Sequence, residues 1–87
     1  MVLATDIDFF VSEGKYTLLQ TSRGKQYPID QSLDHLQEIL DPGQFYRISR
    51  KYIVRFPAIE EIRSYSSSRL KLVLRNCEDR DVMVSRG

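Results

Sequence analysis

Phe45-Tyr46-Arg47-Ile48-Ser49-Arg50-Lys51-Tyr52-Ile53-Val54-Arg55-Phe56 sets four cations and no acid among seven apolar or aromatic side chains. Side chains of the second kind favour strands that anchor in a core. The cations cannot follow them inside, because a charge taken from water without a partner is prohibitively costly. The stretch is therefore expected to be rooted in the core while Arg50 and Lys51 project at its middle. A rigid mount that holds out unpaired cations suits an anionic polymer better than a small substrate.

The rest of the chain is a modest scaffold for that mount. Its 87 residues make a single domain, 1–87, near the small end of what folds alone. A hydrophobic share of 41% and a charged share of 29% fit a globular module. No apolar run approaches the roughly 18 residues that span a bilayer, so no membrane partner is expected. Met1-Val2-Leu3-Ala4-Thr5-Asp6 has no basic lead-in to an apolar core, hence no visible signal peptide, and it reads equally as a cut point below an upstream domain. The single cysteine, Cys77, leaves no internal disulfide and fits a reducing compartment, the cytoplasm.

Net charge is only +1, but its distribution is uneven. The first 42 residues carry three Lys or Arg against seven Asp or Glu, and the remainder ten against five. Such asymmetry points to a polyanionic partner, although a mixed-charge solvated surface is its commoner meaning.

Punctuation along the chain gives the architecture. Strands are expected at Ile7–Ser12 and Lys15–Thr21, separated by Ser12-Glu13-Gly14, and at Lys25–Ile29 after Ser22-Arg23-Gly24. Two tight turns between three strands make an antiparallel meander. Ser32 is an N-cap, with Asp34 in the first turn, for a helix whose Leu33, Leu36, Ile39 and Leu40 share one face. Asp41-Pro42-Gly43 stops it. So short a helix must pack on the sheet to persist. Pro57 interrupts the central stretch, Ile59–Tyr65 is a further strand, and Arg69–Arg75 alternates Leu70, Leu72 and Leu74 against Lys71, Val73 and Arg75. Asp81–Val84 closes the chain as a last strand. The expected class is mainly β with one helix outside.

Catalytic chemistry finds few groups to work with. His35, the only histidine, falls on the polar side of the helix and is read as a solvated surface residue. Glu78 and Asp79 after Cys77 would raise a thiol pKa, not activate it. One His and one Cys cannot assemble a zinc site. Glu60-Glu61 and Glu78-Asp79-Arg80-Asp81 are neighbours along the chain and read as solvated edges, since adjacent strand residues face opposite ways. No glycine-rich phosphate loop is present. The expectation is no enzyme, no catalytic residue, no metal and no cofactor. Binding fares better. Arg50, Lys51 and Ser85-Arg86 have the chemistry that phosphate contact and guanine-edge readout require. Lys15 and Tyr16, just past a turn, are weaker candidates. Phe45, Tyr46 and Tyr52 are read as core, not as base-stacking platforms.

The series from Ile7-Asp8-Phe9-Phe10-Val11 through Ser12-Glu13-Gly14-Lys15-Tyr16-Thr17-Leu18, then Ser32-Leu33, the Phe45–Val54 block and Val84-Ser85-Arg86, resembles a LytTR-type DNA-binding domain. The likeness covers nearly the whole chain in order, and Phe-Tyr-Arg-Ile-x-Arg-x-Tyr-Ile-Val is its most specific part. It implies an elongated antiparallel β fold with one short helix, the output module of a bacterial two-component response regulator, with a receiver domain upstream in the full-length protein. It implies sequence-specific binding of double-stranded DNA through successive major grooves at direct repeats, a second copy occupying the adjacent repeat. By position it assigns base contacts to Arg50, Arg86, Tyr16 and Lys15, and phosphate contacts to Lys51, Arg47, Ser49 and Arg55, with Arg47 also able to brace the fold. Three departures stand out: Ser49 where the family commonly has His, Arg55 where Asn is usual, and Asn76-Cys77 for an Asn-Gly turn, which suggests a looser hairpin. The family's basic and aromatic C-terminal tail is not seen after Gly87. The competing expectation is a protein-interaction module with a basic face and an open sheet edge.

Overall fold

A computed structural model describes residues 4–66, 69–79 and 82–84. Its strands are β1 (Ile7–Glu13), β2 (Tyr16–Thr21), β3 (Gln26–Ile29), β4 (Phe45–Arg47), β5 (Tyr52–Arg55), β6 (Ile59–Ser66), β7 (Arg69–Leu74) and β8 (Val82–Val84), with one helix, α1 (Leu33–Ile39). Short 3-10 turns cover Ala4–Asp6 and Phe56–Ala58, the second carrying Pro57 where the chain leaves β5. The meander is present as β1-β2-β3, and the class is mainly antiparallel β with one helix, as expected. The molecule measures 40 × 26 × 25 Å.

The strands form two sheets, one ordered β3-β2-β1-β5-β4 and the other β6-β7-β8. The central pairing sets Phe9 opposite Val54, Phe10 opposite Ile53 and Val11 opposite Tyr52. Because successive side chains point to opposite faces, Phe9, Val11, Tyr52 and Val54 meet Leu72, Leu74 and Val82 of the second sheet. Phe10, Ile53 and Phe45 turn the other way, onto Leu33 and Leu36 of α1. The first sheet is thus the middle of three layers. Each large apolar side chain fully buried this way contributes roughly 1.5–3 kcal/mol.

Local chemistry explains the boundaries. Ser32 Oγ accepts from the His35 amide at 3.1 Å and starts the helix. Leu40 leaves helical geometry with ψ 152°, and its amide donates back to the Leu36 carbonyl. The helical stripe is narrower than its sequence spacing suggests. Leu33 and Leu36 are buried and Leu40 packs partly against the same cluster, while Ile39 on the shoulder is 60% exposed. Pro28 is accommodated because β3 is an edge strand.

Two further expectations change. The Phe45–Phe56 stretch is a hairpin, β4 and β5 pairing antiparallel with Tyr46 opposite Val54. Ser49 reverses the chain, its Oγ accepting from the Lys51 and Tyr52 amides at 3.1 and 3.2 Å. In β7 the clean alternation breaks down. Leu72 and Leu74 are buried, but Val73 on the opposite face is buried as well, and Leu70 is 43% exposed. The burial of Leu72 and exposure of Leu70 two residues away show that the β6–β7 hairpin runs past the layer it covers.

Candidate functional site

Two turns meet at one end of the first sheet. The first joins β1 to β2, where Gly14 takes φ +58° and lets Glu13 pair with Tyr16. The second is the β4–β5 loop, residues 48–51. They are joined by the Ser12 amide donating to the Lys51 carbonyl at 2.8 Å. Lys15, Tyr16, Arg50 and Lys51 are all exposed there. The structure therefore brings together the mid-chain cations and the pair that the sequence ranked lower. Ser85 and Arg86 lie outside the described residues.

The loop is fixed from beneath. Ile48 is buried in the core, and its amide donates to the Tyr52 carbonyl at 3.2 Å. Arg47 supplies the main support. Its Nε donates to the Ser49 carbonyl and its Nη2 to the Arg50 carbonyl at 3.1 Å. Its Nη1 donates to Asp34 Oδ1 and to Gln37 Oε1, both at 3.0 Å. One guanidinium thus ties the helix to two backbone carbonyls of the loop. Arg47 and Ser49 are engaged inside the fold, and of the two roles open to Arg47 the brace is the one its hydrogen bonds express. Arg55 sits at the opposite end of β5, its Nη1 donating to the Thr5 carbonyl at 2.9 Å and the Ile7 carbonyl at 3.4 Å. The structure does not bring Arg55 to the tip.

The remaining cations differ in freedom. Lys51 Nζ lies 3.9 Å from Glu13 Oε1 and 5.9 Å from the centre of the Tyr52 ring, both side chains of the ion pair about half exposed. Contacts this long and wet hold a lysine loosely. Among the described residues the Arg50 guanidinium has no hydrogen-bond or ion-pair partner, and neither does the Lys15 ammonium.

Behind the tip runs an open groove of about 900 Å³, floored by Phe9, Val11 and Leu18 and walled by Tyr52, Cys77 and Asp79. Tyr52 Oη lies 3.9 Å from Cys77 Sγ and donates to Asp79 Oδ2 at 3.5 Å. Burial, and after it the nearness of Cys77, Asp79 and Glu13, pushes this phenol well above the ordinary tyrosine range. A phenol held neutral is a poor general base. His35 is exposed on the helix, which packs on the face of the sheet away from this groove.

At the base of the molecule sits an arrangement that sequence reading missed. Asp8 is fully buried at a register shift between Ile7 and Phe9 in β1. Arg75 grips it bidentately, Nη2 to Oδ1 at 2.6 Å and Nε to Oδ2 at 3.3 Å. That hydrogen bonding raises the guanidinium pKa further. Asn76 Nδ2 donates to Asp8 Oδ2 at 3.2 Å and to the Ser22 carbonyl at 3.0 Å. Asn76 takes φ +59°, the conformation that Gly would otherwise supply. The Asn76-Cys77 hairpin is consequently pinned to the first sheet, which corrects the expectation of a looser turn. A lone carboxylate inside the apolar run Ile7–Val11 was the available signal that a buried acid needed a cation.

The LytTr DNA-binding domain family matches residues 1–87. Among solved structures, the LytTr DNA-binding domain of a response regulator from Bacillus cereus superposes with a TM-score of 0.83. The two are 24% identical, the match covering 97% of this chain and 74% of that one, and at that identity the likeness shows the fold. No curated protein sequence matches this chain.

Proposed function

The chain belongs to the LytTr DNA-binding domain family, and we propose on that premise that it reads duplex DNA sequence-specifically, as the transcription-regulating output domain of a response regulator. What carries the reading is the tip. Arg50 extends without a partner among the described residues from a loop whose backbone is gripped by Arg47. A side chain held ready on a rigid support loses less freedom on binding than one on a mobile loop. A guanidinium is also the group that pairs bidentately with the O6 and N7 acceptors of guanine.

Roles divide by chemistry. Arg50 takes a base edge, with Tyr16 and Lys15 from the adjoining turn beside it in the same groove. Lys51 meets phosphate, exchanging its long contact with Glu13 for a backbone phosphodiester oxygen. Arg86 supplies a second base contact by its place in the family's pattern. Two copies occupy adjacent direct repeats, each about one helical turn of roughly 10 base pairs. A receiver domain upstream in the full-length protein would control access.

The deciding experiment starts from duplexes selected by this domain out of random sequence. Arg50→Ala is expected to cost roughly 1–3 kcal/mol on the selected site and to relax preference at one base position. Lys51→Ala is expected to weaken selected and scrambled duplexes alike and to lower the salt slope by about one. Equal losses on both duplexes for Arg50→Ala would remove it from base reading. A salt-independent response of the parent chain would instead favour a protein-interaction module.

A further inference from the structure

We propose that the free edge of β6 is a self-association surface, at which a second copy of this chain adds antiparallel and centred on Ile62. Among the described strands β6 pairs with β7 alone, on one side. Irregularities between Ile59 and Glu61 and between Ser64 and Ser66 leave 61–64 as its regular run. The side chains of residues 60–64 are all exposed. Ile62 is opposite Leu72, so it shares the face that is buried further along the hairpin, yet it is 54% exposed, and Leu70 beside it is 43% exposed. The overhang thus leaves an apolar patch next to an open edge.

The charges around that patch indicate the occupant. A protected edge ordinarily carries charges of one sign, which repel a copy. Here Glu61 and Arg63 flank Ile62 symmetrically. Antiparallel pairing about Ile62 sets each Glu61 opposite the partner's Arg63, and each Arg63 opposite the partner's Glu61. Opposite charges directly across a strand pair stabilise it, and like charges destabilise it. The exposed contact of Arg63 Nε with Glu61 Oε1 at 2.7 Å becomes a four-membered network, with neither charge left uncompensated. On the other face the two Ile62 side chains meet across the new strand pair, each beside the exposed Leu70 of its own hairpin. The interface is isologous, with the same patch on both copies. Copies on adjacent direct repeats are related head to tail, so a two-fold pair of this kind joins copies on separate DNA segments. The inference does not depend on how DNA is read.

Its test needs no DNA. In a Cys77→Ser background, Ile62→Cys is expected to oxidise to a covalent dimer much faster than a control at exposed Asp30→Cys. Glu61→Cys mixed with Arg63→Cys is expected to cross-link, while either alone does so weakly, which fixes the register. By sedimentation, Arg63→Glu is expected to weaken association about tenfold, acting at two symmetric positions. Glu61→Arg with Arg63→Glu should restore it. A chain that stays monomeric at the highest concentrations, cross-linking at position 62 no faster than the control, or failure of the charge swap to restore association would each overturn the proposal.

Discussion

Two arginines at opposite ends of the central sheet show how one residue type serves two purposes. Arg75, at the base, closes on a carboxylate with no exposure at all. The Arg50 guanidinium, at the tip, has no hydrogen-bond or ion-pair partner among the described residues. Arg50 lies in a run without acids, whereas Glu78 and Asp79 follow Arg75 closely, yet the carboxylate that Arg75 grips is the distant Asp8. What separates them is the acceptor each can reach. Buried acid makes an arginine structural, whereas a loop whose own carbonyls are already taken by Arg47 leaves the next guanidinium free for a partner.

The contrast breaks most forcefully at the base. Arg75→Ala strands the buried Asp8 charge with only Asn76 beside it. Unfolding by denaturant should show a loss of about 3 kcal/mol, the lower end for breaking a buried pair because Arg75 itself is part exposed. Arg50→Ala, by comparison, should leave the denaturation midpoint within about 0.5 kcal/mol of the parent while lowering DNA affinity. If both variants lost stability equally, the division between structural and free arginine would fail.

Arg47 lies between these extremes and sharpens them. Arg47→Ala removes hydrogen bonds from two loop carbonyls and from Asp34 and Gln37. The expected cost is about 1–2 kcal/mol of stability, together with weaker DNA binding. Arg47→Lys should recover charge but not the fork. Recovery of full affinity by lysine would mean that Arg47 acts as a phosphate contact and not as a brace.

The smallest effect concerns Tyr52, between tip and base. Its folded-state pKa is raised, so the neutral phenol binds its proton more tightly when folded than when unfolded. The associated stability is fully present below about pH 10 and is lost as pH rises above it. Denaturation midpoints should fall as the pH rises above about 10, and Tyr52→Phe should reduce that slope. An unchanged slope would show that the hydroxyl is not shielded from water.

Sequence alone determined the β1-β2-β3 meander, its turns and the helix, because each is written in contacts between near neighbours, whereas the β4–β5 hairpin emerged only on folding. Gly14 marked a reversal, and Ser32 capped α1. Sequence also singled out Arg50 and Lys51, since a basic run without acids cannot be buried. What folding alone decided was which charges meet. Asp8 and Arg75 stand 67 positions apart, and Arg47 reaches Asp34 across 13. Local pattern carries no record of such distances. Nor does it carry the overhang of β6 and β7, because alternation specifies the face a side chain takes, while its burial depends on whether another layer extends far enough to cover it.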